Sequence, residues 1–143
     1  MSQSTAQAAY RSAEVETVSQ RELIVRLYLG AERFLGNGSE AIKANKGEEA
    51  VVQCRKARDI FIELMATLNF EVGGELAHQL RDLYAFIIYQ ISEGSLKKNA
   101  AQLEALLPII GTLREGWQAI PDEHANVTSI PEGNRGHSLN LRC

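Results

Sequence analysis

Glu71-Val72-Gly73-Gly74-Glu75-Leu76-Ala77, followed by Leu80-Arg81-Asp82-Leu83-Tyr84, decides the fold of this chain. Gly73-Gly74 can take backbone angles closed to other residues, so the chain can turn tightly there. Glu75 then falls in the first turn of a new element, where negative charge suits the helix dipole. From Leu76 the apolar residues return as Leu80, Leu83, Ile87 and Ile91, in the steps of three and four that mark one face of a helix. The double glycine therefore punctuates a helical chain, and the same pattern appears on both sides of it.

Before the turn, Ser19 and Glu22 form a Ser-x-x-Glu capping box ahead of Leu23, Ile24, Leu27, Tyr28, Ala31, Phe34, Leu35 and Ile42. The Gly36-Asn37-Gly38 segment weakens this helix, since glycine costs about 1 kcal/mol relative to alanine, and a bend or fraying is expected there. A second box, Asn45-Lys46-Gly47-Glu48, introduces Ala50, Cys54, Ala57, Phe61, Leu64 and Leu68. After the turn, the third helix should stop at Gly94 in a left-handed cap. Ser95, or Asn99 with Gln102, then caps a fourth pattern of Leu103, Leu106, Ile110, Leu113, Trp117 and Ile120. Pro108 lies inside it and should kink the helix without breaking it, because the seam keeps phase across it.

These patterns predict an all-α protein with helices at about 19–45, 47–68, 74–93 and 96–120. Short connections between helices of similar length make neighbours antiparallel, giving an up-down four-helix bundle. Residues 1–18 read as a mobile polar arm, and residues 121–143, with Pro131, Gly133 and Gly136, as a disordered tail too poor in apolar residues to order itself.

Composition excludes several functions. A chain of 143 residues with net charge -3 and pI near 5.6 lacks the basic face that nucleic-acid binding requires. No apolar run approaches the roughly 20 residues of a membrane span, and the polar start Met1-Ser2-Gln3-Ser4-Thr5 has no signal-peptide character, so a cytoplasmic location is expected. Cys54 sits on an apolar seam and Cys143 ends the chain, with no metal-ligand spacing and no expected disulfide. Glu75-Leu76-Ala77-His78 matches the Glu-x-x-His of dinuclear metal bundles, but a second such pair is missing and the other histidines, His124 and His137, lie in the tail. Nor is there a nucleophile elbow, phosphate loop or Cys/His pairing, so neither an enzyme nor a cofactor is expected. Apolar residues exceed what the seams need: Val25 and Leu29, Ile60 and Ile62, and Phe86, Ile88 and Tyr89 stand off them. Such a surplus suits a groove that accepts a partner's amphipathic segment.

Ala9-Tyr10 in the polar arm, Glu22-Leu23-Ile24 with Leu27-Tyr28-Leu29-Gly30-Ala31, the Gly73-Gly74-Glu75-Leu76-Ala77 turn, Leu83-Tyr84 and the closing Leu113 to Trp117 together resemble the flagellin export chaperone (FliS) family. Leu29 and Ala85 depart from it where the family often has acidic residues. The resemblance implies a cytoplasmic chaperone that binds the disordered C-terminal part of flagellin, prevents premature polymerisation and delivers the subunit to the flagellar type III export gate. It also implies that Tyr10 anchors the arm over the client surface or contacts the export machinery. The expected client groove is Leu23, Ile24, Leu27 and Tyr28 with Leu80, Leu83, Tyr84 and Ile87, some of which must also serve the core. Exposed grooves of this kind leave a homodimer open to the free protein. The rival readings are a generic helical adaptor for another client and, behind it, a metal-binding bundle enzyme.

Overall fold

The computed structural model describes residues 19–121, which form five helical segments and no strand. They are α1 (Gln20–Lys43), α2 (Gly47–Ala66), α3 (Phe70–Leu96), α4 (Ala100–Glu104) and α5 (Leu106–Ala119). Because α4 and α5 continue one another, the architecture is a four-helix bundle. α1 packs against α2 and against the α4–α5 rod, while α3 packs against α2 and α4. The expected arm and tail lie outside the described residues.

The helix ends explain the topology. Ser19 Oγ accepts the Glu22 N–H at 3.1 Å, and Asn99 Oδ1 accepts the Gln102 N–H at 3.1 Å, the two side-chain caps anticipated from the sequence. Asn45 does not cap α2. It sits in the left-handed region at φ 60° and ends α1, with Lys46 N–H bonded to Ala41 O and Asn45 N–H to Ile42 O. Lys98, at φ 52°, closes α3 in the same way through Asn99 N–H to Gly94 O and Lys98 N–H to Ser95 O.

Gly94 is therefore not the cap. It is buried inside α3, and a Cβ there would lie 2.8 Å from Leu103 Cδ2, so its missing side chain lets α3 and α4 approach. Gly38 plays a similar part between α1 and α2, where a Cβ would meet Cys54 Sγ at 3.1 Å. The Gly36-Asn37-Gly38 segment is regular helix rather than a bend. At Pro108 the irregularity falls one turn earlier, at Ala105, because the proline ring crowds the carbonyl four residues before it and supplies no N–H to bond it.

Gly74 breaks the regular backbone, with φ 52° and ψ -129°, but a capped turn precedes it. Asn69 Oδ1 accepts the N–H groups of Glu71 and Val72, so the helix begins at Phe70 rather than at the glycines. The break folds this turn back, and the Phe70 ring meets His78 edge-on at 4.8 Å.

The core runs along the bundle axis from Ile24 to Trp117. Its widest layer is aromatic. Phe61 of α2 lies 6.2 Å from Tyr28 of α1 and 5.7 Å from Tyr84 of α3, measured between ring centroids. The two phenols meet across the bundle in a hydroxyl–hydroxyl hydrogen bond of 2.5 Å. Burial pushes Tyr84 up to about 12 and Tyr28 well above its ordinary value, with the Trp117 indole opposing the shift of Tyr28, so both stay neutral through the physiological range. Around the core, Arg114 of α5 forks onto Glu32 of α1 at 2.7 and 3.3 Å, and Arg21 binds the carbonyls of Gln118 and Ile120, tying the first helix to the last.

Candidate client surface on the third helix

α3 carries more apolar side chains than the bundle can enclose. Leu80, Tyr84, Ile87 and Ile91 face inward and are buried, whereas Leu76 and Phe86 are each 47% exposed and Tyr89 59%. Phe70 and Val72, in the capped first turn, are exposed as well. Leu76 is the telling member, because it keeps phase with the core-facing residues of α3 and should be covered. Among the described residues α5 packs on α1 and scarcely approaches α3, which leaves Leu76 open. The half-buried Leu83 of α3 and Ile109 and Leu113 of α5 pack against the core at the edges of this gap.

Tyr89 is held in place rather than left loose. Its hydroxyl donates to Glu93 Oε2 at 2.7 Å, and Gln102 Nε2 donates to Glu93 Oε1 at 2.9 Å and to Gln90 Oε1 at 2.8 Å. The Gln102 amide and the Tyr89 hydroxyl hold the Glu93 carboxyl below its usual range, and the same carboxylate raises the Tyr89 phenol. An oriented aromatic ring loses little rotamer freedom when a partner covers it, which favours docking.

Of the expected groove residues, Ile24, Leu27, Tyr28, Leu80, Tyr84 and Ile87 are interior, while Leu23 and Leu83 are half-buried at the margin. The six interior residues are closed off in this packing because their seams face one another across the axis. Tyr10 lies outside the described residues. Among the off-seam residues, Leu29, Ile62, Phe86 and Tyr89 stand exposed, Val25 and Ile88 are half-buried, and Ile60 joins the core. Sequence periodicity missed Leu76, which was assigned to the seam; its phase is correct and only the absent neighbour exposes it.

Among the described residues no cluster of three or more His, Cys, Asp or Glu side chains could hold a metal ion. Glu75 and His78 are both exposed, and the His78 ring is engaged with Phe70. Cys54 is free and buried, and burial raises its thiol. No helix among the described residues is long and apolar enough to cross a membrane.

Comparison with known proteins gives this surface a context. The family pattern described as "Flagellar protein FliS" matches residues 1–124. A "Flagellar secretion chaperone FliS" from Campylobacter jejuni is 33% identical over 128 residues, covering 90% of this chain and 98% of that protein. The protein of the same description from Vibrio cholerae is 30% identical over 129 residues, covering 87% and 95%. One from Bacillus subtilis is 28% identical over 116 residues, covering 80% and 86%. A four-helix bundle with an open apolar face, matched along nearly its whole length to these relatives, belongs to the FliS family of flagellar secretion chaperones.

Proposed function

We propose that this chain binds the disordered C-terminal region of flagellin in the cytoplasm, keeps the subunit from polymerising before export and delivers it to the flagellar type III export gate. The observation that carries the reading is the exposure of Leu76, Phe86 and Tyr89 along one helix of the bundle. A disordered client with amphipathic stretches would fold onto such a face, burying the residues that nucleate a filament and surrendering ordering entropy as it does so. Binding of this kind needs no turnover and no cofactor. Tyr10 is proposed to anchor the N-terminal arm over the client surface or to contact the export machinery, with Leu23 and Leu83 as client contacts at the groove margin.

Calorimetry with flagellin from the same cell, intact and lacking its C-terminal segment, tests the proposal. Intact flagellin should bind with a negative heat-capacity change from apolar burial. Binding that survives the truncation would sink the mechanism, and a different cytoplasmic client captured in place of flagellin would favour the adaptor reading.

A further inference from the structure

A second recess lies between α3 and α2. It is a cleft of about 380 Å³ with Cys54 and Ile91 among its walls and Val51 and Leu96 at its rim. Leu96 is 84% exposed, the most exposed large apolar side chain among the described residues. Every charged side chain lining the cleft is basic: Arg55, Arg58 and Lys98. This is a local excess of positive charge on a chain whose net charge is -3.

Among the described residues, Arg58 is incompletely engaged by the protein itself. Arg58 Nε is buried with no hydrogen-bond partner, while its Nη2 lies 3.7 Å from the carboxylate of its sequence neighbour Asp59. An unpaired buried guanidinium N–H is costly, and a planar fork with a vacant donor matches a carboxylate. Ser95 is already turned toward Cys54, since its side chain opposes the burial-driven rise of that thiol. The cleft therefore offers an apolar floor, an apolar lip and a set of basic groups on one wall.

We infer that the α2–α3 cleft is a second docking site, for a short acidic and apolar segment of another protein. An aliphatic or aromatic side chain of the segment sits between Val51, Ile91 and Leu96, and an adjacent carboxylate pairs with the exposed ends of the Arg58 and Arg55 guanidinium groups. The charge pattern selects this occupant. A purely apolar helix leaves the guanidinium groups desolvated and unpaired, and a polyanion without apolar side chains leaves the floor and Leu96 uncovered.

The test uses the full chain, isotope-labelled for amide NMR, and a twelve-residue peptide alternating Asp or Glu with Leu or Phe. Control peptides carry Asn and Gln in place of the acids, or Glu alone. The acidic-apolar peptide should shift the amides of Val51, Arg55, Ser92, Ser95 and Leu96, and should bind at least tenfold more tightly than either control. Its affinity should weaken with added salt. Arg55→Glu with Arg58→Glu, and separately Leu96→Ser at an exposed position that leaves the fold intact, should each reduce binding about tenfold while flagellin binding is unchanged. Equal binding of the uncharged peptide, equal binding of polyglutamate or an oligonucleotide, shifts elsewhere on the bundle, or no binding at millimolar peptide each overturns the inference.

Discussion

Replacing the paired phenols gives the most demanding prediction. In Tyr84→Phe, the Tyr28 hydroxyl loses its 2.5 Å partner inside the core and keeps only its interaction with Trp117. Leaving a buried hydroxyl short of a partner costs about 1–3 kcal/mol. In Tyr28→Phe both Tyr84 and the Trp117 indole lose a partner, so its cost should lie at the upper end of that range or above. The double variant removes both hydroxyls and keeps the ring packing against Phe61. Its cost should fall short of the sum of the singles by about 1–3 kcal/mol. Urea melts of the four proteins measure this coupling. In thermal melts each kcal/mol should appear as roughly 4–8 °C for a domain of about 100 residues. Alkaline pH supplies an independent axis. An unfolded tyrosine titrates near 10, whereas burial holds Tyr84 up to about 12 and Tyr28 also raised. The folded state thus holds its phenolic protons longer, so this stabilisation is complete below about pH 10 and is lost as pH rises through about 12. The double Phe variant should lose less stability across that window than the parent. Additive single costs, or identical alkaline profiles, would refute the account of a closed, paired aromatic layer.

Three further outcomes follow from the helices. Gly94→Ala should destabilise by about 1–3 kcal/mol through the contact with Leu103, whereas Gly36→Ala, with nothing within 4 Å of its Cβ, should stabilise by up to about 1 kcal/mol; urea midpoints moving in the same direction would contradict the packing described. Gly74→Ala forces a side chain into the positive-φ conformation at a cost of about 1–3 kcal/mol, and hydrogen exchange should show lost protection at Gly73, whose N–H bonds Asn69 O, before any change in the core. Phe86→Asp places charge on an exposed position and should leave the melting temperature within a few degrees while weakening flagellin binding at least tenfold; unchanged calorimetric affinity would remove α3 from the client surface.

The bundle was legible because its seams repeat at helical spacing over nearly the whole described chain, and because Ser19 and Asn99 announce helix starts through local chemistry. Local signals misled where one residue type serves two ends. Gly94 resembles a left-handed cap, yet the identity of Leu103 across the interface makes it a contact point, and the cap falls on Lys98. Asn45 has the chemistry of an N-cap and the conformational tolerance of a C-terminal residue, and the second use wins because α1 needs its last carbonyls bonded. Groove and core were harder to separate. Tyr28 and Tyr84 are interior because they find each other across the axis, and Leu76 is open because α5 leans away, neither of which periodicity records. The basic cleft was invisible for the same reason, since Arg58 and Lys98 are 40 positions apart in the chain and meet only when α2 and α3 run antiparallel.

The close approaches at Gly38 and Gly94 lie toward the end of the bundle where α1 turns into α2 and α3 into α4. Aromatic side chains occupy the core nearer the other end. Two ends of one core therefore answer differently to added volume: a methyl group at Gly38 or Gly94 meets a neighbour at once, while the other end is already filled by the rings of Tyr28, Phe61 and Tyr84.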